Sequence, residues 1–228
     1  MIIREVLQLN ILIPNDIQME SYLRSTQLIN FDSTEVSGLA SSLELSCCSE
    51  AEAVQKAYEY VRDRFPHTFD INETGVAVSA SDVIKLGHGT CYAKVNLLAA
   101  LLRSAGIPAG ICYQCLCCDD PDDTSTTGTF NSRLILHAVN AIFIKSINKW
   151  VRLDARGNNC RIHAEFSLEH EKLAFTIHPD YGEKDGYVIY SDTPSCIRKV
   201  LESCSSAKEL RKKLPQPYLL DKSKCNLD

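Results

Sequence analysis

The stretch CYAKVNLLAALLRSAG, residues 91–106, limits what this chain can fold into more than any other segment. It is rich in Leu and Ala, the strong helix formers, and Val95 is its one β-branched residue. Its apolar side chains cover most sides of a helix rather than one stripe. Such a helix has to be enclosed by other elements. Gly106 suits its C-terminal cap, and Pro108 bars continuation. The 228 residues are 45% hydrophobic. That is enough to enclose one such helix in a single domain over residues 1–228.

The flanking segments supply the enclosure. Residues 5–13 read as a strand. Asp32 or Ser33 can cap a helix reaching about Leu45. Ser49 and Glu52 have capping-box spacing. Val54, Tyr58, Val61 and Phe65 then recur at helical steps until Pro66 stops the run. SASDVIKLGHGT reads as a short helical turn and a bend at Gly87 and Gly89. Past the enclosed helix, residues 109–118 have β texture. DDPDDTSTTGTFNS is polar and aperiodic, and is expected as an exposed, mobile loop. LILHAVNAIFI and KWVRLDA, joined at Ile147-Asn148, predict an antiparallel hairpin. Residues 195–204 and 207–214 look helical, and Pro215 and Pro217 begin a tail. Helices followed by consecutive strands imply an α+β fold. There is no internal repeat, no GxGxxG after a strand and no P-loop, so nucleotide binding has no support.

The net charge of −5 argues against a general nucleic-acid binder, which needs a basic face. No apolar run approaches the roughly 20 residues of a membrane-spanning helix. The N-terminal MIIREVLQLNILI is interrupted by Gln8 and Asn10 and has no small-residue cleavage site, so it is not read as a secretory signal. Without an export signal, the eleven cysteines are expected as reduced thiols in a cytoplasm, most of them packing as small hydrophobes. Cys225 stands fourth from the end, but Asn226 and Asp228 do not fit a prenylation box.

One cysteine is placed for chemistry. Cys91 follows a glycine-rich bend and opens the enclosed helix. Free backbone N–H groups and the positive end of the helix dipole favour an anion there, and a thiolate is that anion. The same N–H groups can serve a developing oxyanion. A nucleophilic Cys needs a base, and the base an orienter. His137 lies on the first strand of the predicted hairpin and Asp154 near the end of the second, seventeen residues apart. Two strands and a tight turn can set them side by side, with the helix packed across the sheet and its N-terminus towards the His.

On these residues the chain resembles the transglutaminase-like superfamily. GTCYAKVNLLAALLRSAGIPAG is similar to its nucleophile segment: a glycine before the Cys, a Leu/Ala-rich helix, then Arg and Ala-Gly-Ile-Pro. LHAVNAIFIKSINKWVRLDARGN resembles its His strand and the following Trp-Val-x-Leu-Asp strand. Three motifs occur in order over about residues 50–160, leaving 1–49 as an N-terminal strand and helix and 161–228 as an extension. The resemblance implies a papain-like α+β core with Cys91 as nucleophile, His137 as general base and Asp154 as orienting carboxylate. Tyr92 stands where animal crosslinking transglutaminases carry Trp, and the chain is too short for their calcium-dependent β-domains. Small bacterial transglutaminase-like proteins are the better match. The superfamily includes proteases, amidases, peptide N-glycanases and crosslinkers, so the first chemical step is better fixed than the substrate. The expectation is attack by Cys91 on an amide of a peptide or protein, without cofactor or metal. Hydrolysis is favoured over amine transfer because water is always present and no amine site is visible.

Two other readings compete. One is a silent member whose cleft recognises a partner without turnover. The other is a zinc protein using Cys112, Cys115, Cys117 and Cys118 with Cys160 and His163. Strand alternation points Cys112 and Cys115 to opposite faces, which disfavours zinc. Asp119, Asp120, Asp122 and Asp123 lack EF-hand spacing. Of the remaining residues near the motifs, His88 is expected at the cleft mouth and Lys94 in solvent. Arg156 and Asn158 are expected to make turn hydrogen bonds, ahead of a reading in which they shape the cleft rim, and Trp150 to pack in the core or wall the triad.

Overall fold

In the computed structural model, described over residues 12–119 and 132–220, serine side chains take up free N–H groups at the start of four of the six helices described. The order is β1 (Ile13–Pro14), α1 (Thr34–Ser42), α2 (Glu50–Arg64), α3 (Ala80–Leu86), α4 (Cys91–Ser104), β2 (Ala109–Asp119), β3 (Ser132–Ile144), β4 (Lys149–Leu153), β5 (Val188–Ile189), α5 (Ser195–Glu202) and α6 (Ala207–Lys212). Ser33 caps α1 through Val36 N–H, and Ser49 and Glu52 close a reciprocal capping box on α2. Ser79 and Asp82 do the same for α3. Losing one such cap costs about 1 kcal/mol. The α4 helix ends in a Schellman motif. Gly106 sits at φ 75°, its N–H donates to Arg103 C=O, and Ile107 N–H donates to Leu102 C=O. Only a residue without Cβ takes that conformation freely, which is why the glycine stands there.

The enclosed helix is what the leucine pattern demands. Every residue from Cys91 to Arg103 is buried. Helices α1, α2 and α3 pack on one side of α4, and strands β2 and β3 on the other. Leu97, Leu98, Leu101 and Leu102 are fully buried. Truncating any one to Ala costs about 2–5 kcal/mol. Lys94 overturns its sequence expectation. It does not reach solvent but is fully buried, donating to the carbonyls of Arg62 at 3.3 Å, Arg156 at 2.9 Å and Phe65. A helix enclosed on all sides leaves no exit for a long side chain, so the ammonium finds orphan carbonyls instead.

The sheet runs β2-β3-β4, antiparallel throughout, with Gln114 opposite His137 and Asn140 opposite Leu153. Asn148, in the left-handed region at φ 49°, turns β3 into β4. Asn140 is buried and donates to Val95 C=O at 2.9 Å, tying the sheet to the middle of α4. A strap over residues 183–190 lines the edge of β2 through isolated bridges Cys115↔Lys184 and Ile111↔Tyr190. Gly186 allows that approach, since a Cβ there would lie 2.1 Å from Tyr113 O. The same strap carries β5, which pairs in parallel with β1.

Helices followed by an antiparallel sheet make this the α+β fold expected. Residues 5–11 of the predicted first strand, residues 120–131 of the polar loop and Cys225 lie outside the described residues. Among the described residues, no helix is long and apolar enough to cross a membrane.

Candidate active site

Pro66 ends α2, and His67 then forms an isolated parallel bridge with Gly89: Gly89 N–H donates to Pro66 C=O at 3.3 Å, and Thr68 N–H to Gly89 C=O at 3.2 Å. This clasp fixes the bend ahead of α4 and sets Cys91 at the helix's first position, behind Thr90 as N-cap. The first N–H groups of a helix have no partner within it. The thiol opens onto a cavity of about 280 Å³ that also receives His137, His67, Thr90, Phe175 and Arg156.

His137 projects from β3 into that cavity. Its Nε2 lies 2.8 Å from Asp154 Oδ2. The ladder explains the meeting. Leu153, the last residue of β4, pairs with Asn140, so Asp154 emerges just where β3 runs on towards His137. Asp154 is 1% exposed and its carboxylate is fully engaged. Oδ2 also accepts from Ala174 N–H at 3.1 Å, and Oδ1 from Arg156 N–H at 3.0 Å. Burial alone would push this carboxyl up, but the His137 charge and these donors hold it below its ordinary value. Burial likewise works against a charged His137. The Asp154 carboxylate, and next the Cys91 thiol beside the ring, outweigh it and raise the imidazole to about 10. The Phe175 ring stands edge-on to the imidazole, centroids 4.9 Å apart, and holds its plane.

The other sequence candidates separate. Arg156 makes the expected turn bond through its N–H to Asp154 Oδ1, and its side chain also lines the cavity and makes a bidentate pair with Asp70 at 2.6 and 2.8 Å. Asn158 keeps to the turn role, bonding both N–H and C=O of Ala164. His88 is not at the cleft mouth. It is buried, with Nδ1 3.0 Å from Thr68 Oγ1. Trp150 does not wall the triad residues. It packs edge-on to Tyr22 at 5.0 Å, on the face of β4 turned away from α4. Among the described residues no group of His, Cys, Asp and Glu is arranged to hold a metal ion.

Two contributors had no signal in the sequence. The segment around 174–175, read only as mixed, brings the Ala174 N–H and the Phe175 ring onto the His–Asp pair. His67 follows the proline that ends α2. It is 6% exposed and its Nδ1 accepts from Phe69 N–H at 3.4 Å. Burial, then the Arg156 charge, hold this imidazole well below its ordinary value, so it is neutral. The two pocket histidines thus differ in charge: a buried carboxylate offsets burial at His137, whereas at His67 burial is reinforced by the Arg156 guanidinium.

An α+β domain whose enclosed helix opens on a cysteine, facing a histidine held by a carboxylate, defines a class built around one thiol. A sequence profile of the transglutaminase-like superfamily matches residues 38–155, and the chain belongs to that superfamily. That membership supports a cysteine-based enzyme. Among solved structures, a candidate cysteine protease from Cytophaga hutchinsonii is similar at 19% identity, with a TM-score of 0.45. The likeness covers 62% of this chain and 43% of that one, so the chain spans less than half of that protein. No curated protein matches the chain.

Proposed function

We propose that the chain is a cysteine-nucleophile enzyme that cleaves an amide bond of a peptide or protein through an acyl-thioester on Cys91, and that water is the acceptor. The observation that carries this is the buried 2.8 Å contact between His137 Nε2 and Asp154, in the cavity that Cys91 enters from a helix N-terminus. With Nε2 committed to the carboxylate, Nδ1 is the nitrogen left for the thiol. The charged imidazole then holds on Nδ1 the proton that a leaving amine needs.

The steps follow from these positions. The Cys91 sulfur attacks the carbonyl carbon, and the oxygen takes the electron pair. As the C–N bond breaks, His137 gives its Nδ1 proton to the leaving amine. Water then adds to the thioester while the neutral His137 takes one of its protons. The C–S bond breaks, the acid leaves, and the charged pair is restored. Asp154 keeps its charge throughout, fixing the ring and stabilising its protonated form. Arg133 and Arg211 line the cavity. Their charge repels an approaching lysine ammonium, the form in which an amine acceptor arrives, and that favours water.

The test is alkylation by a small excess of iodoacetamide from pH 5 to 9, read by peptide mass spectrometry, for wild type and His137→Ala. Selective labelling of Cys91 below pH 8, lost in the variant, is the expected result. Even labelling of the exposed thiols Cys47 and Cys160, with Cys91 silent, would sink the proposal and leave a binding cleft without turnover.

A further inference from the structure

Attack on an amide puts negative charge on the carbonyl oxygen, and one donor for it is in place: the free N–H of Cys91 at the start of α4. A second donor has to come from a side chain in the same cavity, polar, buried and not already used. His67 meets those conditions. It lines the cavity with Cys91 and His137, and its backbone is clasped to Gly89, two residues ahead of the nucleophile. Its Nδ1 faces the Phe69 N–H, so that nitrogen carries no proton, and a neutral ring then carries its proton on Nε2. Phe69 stands edge-on to the ring at 5.3 Å and fixes its plane. Thr90 makes the same point from the other side. Its hydroxyl is buried at the cavity, does not cap the helix, and has no partner among the described residues. A site with an unpartnered hydroxyl and an imidazole lining the same cavity as the thiol can meet an oxygen.

We infer that His67, through Nε2–H, is the second oxyanion donor of this site, acting with the Cys91 backbone N–H. The inference rests on the Cys91 reading above. The neutral state is what the role requires. A charged ring in this position would compete with His137 for the thiolate, whereas a neutral N–H is a preorganised dipole. Burial, and next the Arg156 guanidinium held in place by Asp70, keep it so. His67 is therefore a donor and not a second base, because its one free nitrogen already bears a proton.

Two reagents separate this role from thiol activation. Acylation by p-nitrophenyl acetate forms a tetrahedral oxyanion, while alkylation by iodoacetamide forms none. In His67→Ala, the nitrophenolate burst from Cys91 should slow about 10²- to 10³-fold. Alkylation of Cys91 should stay within about twofold of wild type, which also reports an intact fold. His67→Gln, which restores an N–H near the Nε2 position, should recover much of the burst rate. An unchanged burst in His67→Ala overturns the inference. So does a parallel loss of both reactions that His67→Gln fails to repair, since that marks a structural role. If wild-type Cys91 reacts with neither reagent ahead of the exposed thiols, the nucleophile reading itself fails and takes this one with it.

Discussion

Two cavities flank the sheet, and they differ in how far their polar groups are paired. On the face of β4 turned away from α4, a cavity of about 630 Å³ is bordered by Trp150, Arg152, Glu171, Asp185 and Tyr187. Its central charge is fully matched. Arg152 is 4% exposed and forks onto Glu171 at 2.5 and 2.8 Å and onto Asp185 at 2.5 and 2.7 Å. The cavity at the start of α4 has less than half that volume, yet its groups are left unspent: a thiol, a charged imidazole, a neutral one and an unpartnered hydroxyl. Size measures room. Chemistry needs polar groups that are oriented but not satisfied, and the fold keeps those where a helix N-terminus meets a strand end.

The comparison breaks first at the small cavity. Cys91→Ala should abolish the nitrophenolate burst and all preferential alkylation, leaving the circular dichroism spectrum unchanged. Asp154→Asn should slow the burst about 10³-fold, since an amide neither holds the charged imidazole nor fixes its proton. It should also lower stability by about 3 kcal/mol, because the buried His137 loses its counter-charge. Bursts persisting at more than a tenth of the wild-type rate in Asp154→Asn would show that the carboxylate is structural only.

At the large cavity the order of effects reverses. Arg152→Met should cost about 1–3 kcal/mol, less than a fully buried pair because Glu171 is 40% exposed and screened. The burst rate should stay within about twofold. Chemical denaturation and the burst assay on one preparation check both halves. A large loss of burst rate with little loss of stability would mean that the two cavities are coupled through β4.

How much of this could be read from the sequence depends on how local the cause is. The α4 helix, its Gly106 cap and the capping box at Ser49 rest on residues within a few positions of one another, and the order of helices and strands follows from their periodicity. Cys91, His137 and Asp154 were each placed on their element by pattern. Their spatial meeting depends on the β3–β4 register, which the turn at Asn148 pins. Lys94 departs from its local pattern for the opposite reason. A lysine on a helix usually finds water, and only the packing of α2 and the 156 turn over α4 removes that exit. His67 and Phe175 lie in segments without periodicity, so their positions come from long-range contacts that no local pattern encodes.

Lys94 and Arg152 also give the finest contrast between the two sides of the sheet. Both are buried cations, but Arg152 has two carboxylates and Lys94 has only carbonyls. Burial therefore lowers Lys94 to about 7, with the Asp154 charge only partly opposing it. The unfolded chain keeps its lysine near 10.5, so between pH 7 and 10.5 the unfolded state binds more protons and Lys94 adds stability as pH rises. His137 runs the other way. Raised to about 10 in the fold, against an unfolded value near 6.5, its contribution is complete below pH 6.5 and is lost as pH climbs towards 10. The two slopes largely cancel in wild type. Lys94→Met removes one of them, so its thermal midpoint, relative to wild type, should fall steadily from pH 7 to 10. His137→Gln should rise over the same range. Parallel curves for wild type and Lys94→Met would mean that the buried ammonium keeps an ordinary proton affinity, and that its three carbonyls replace water fully.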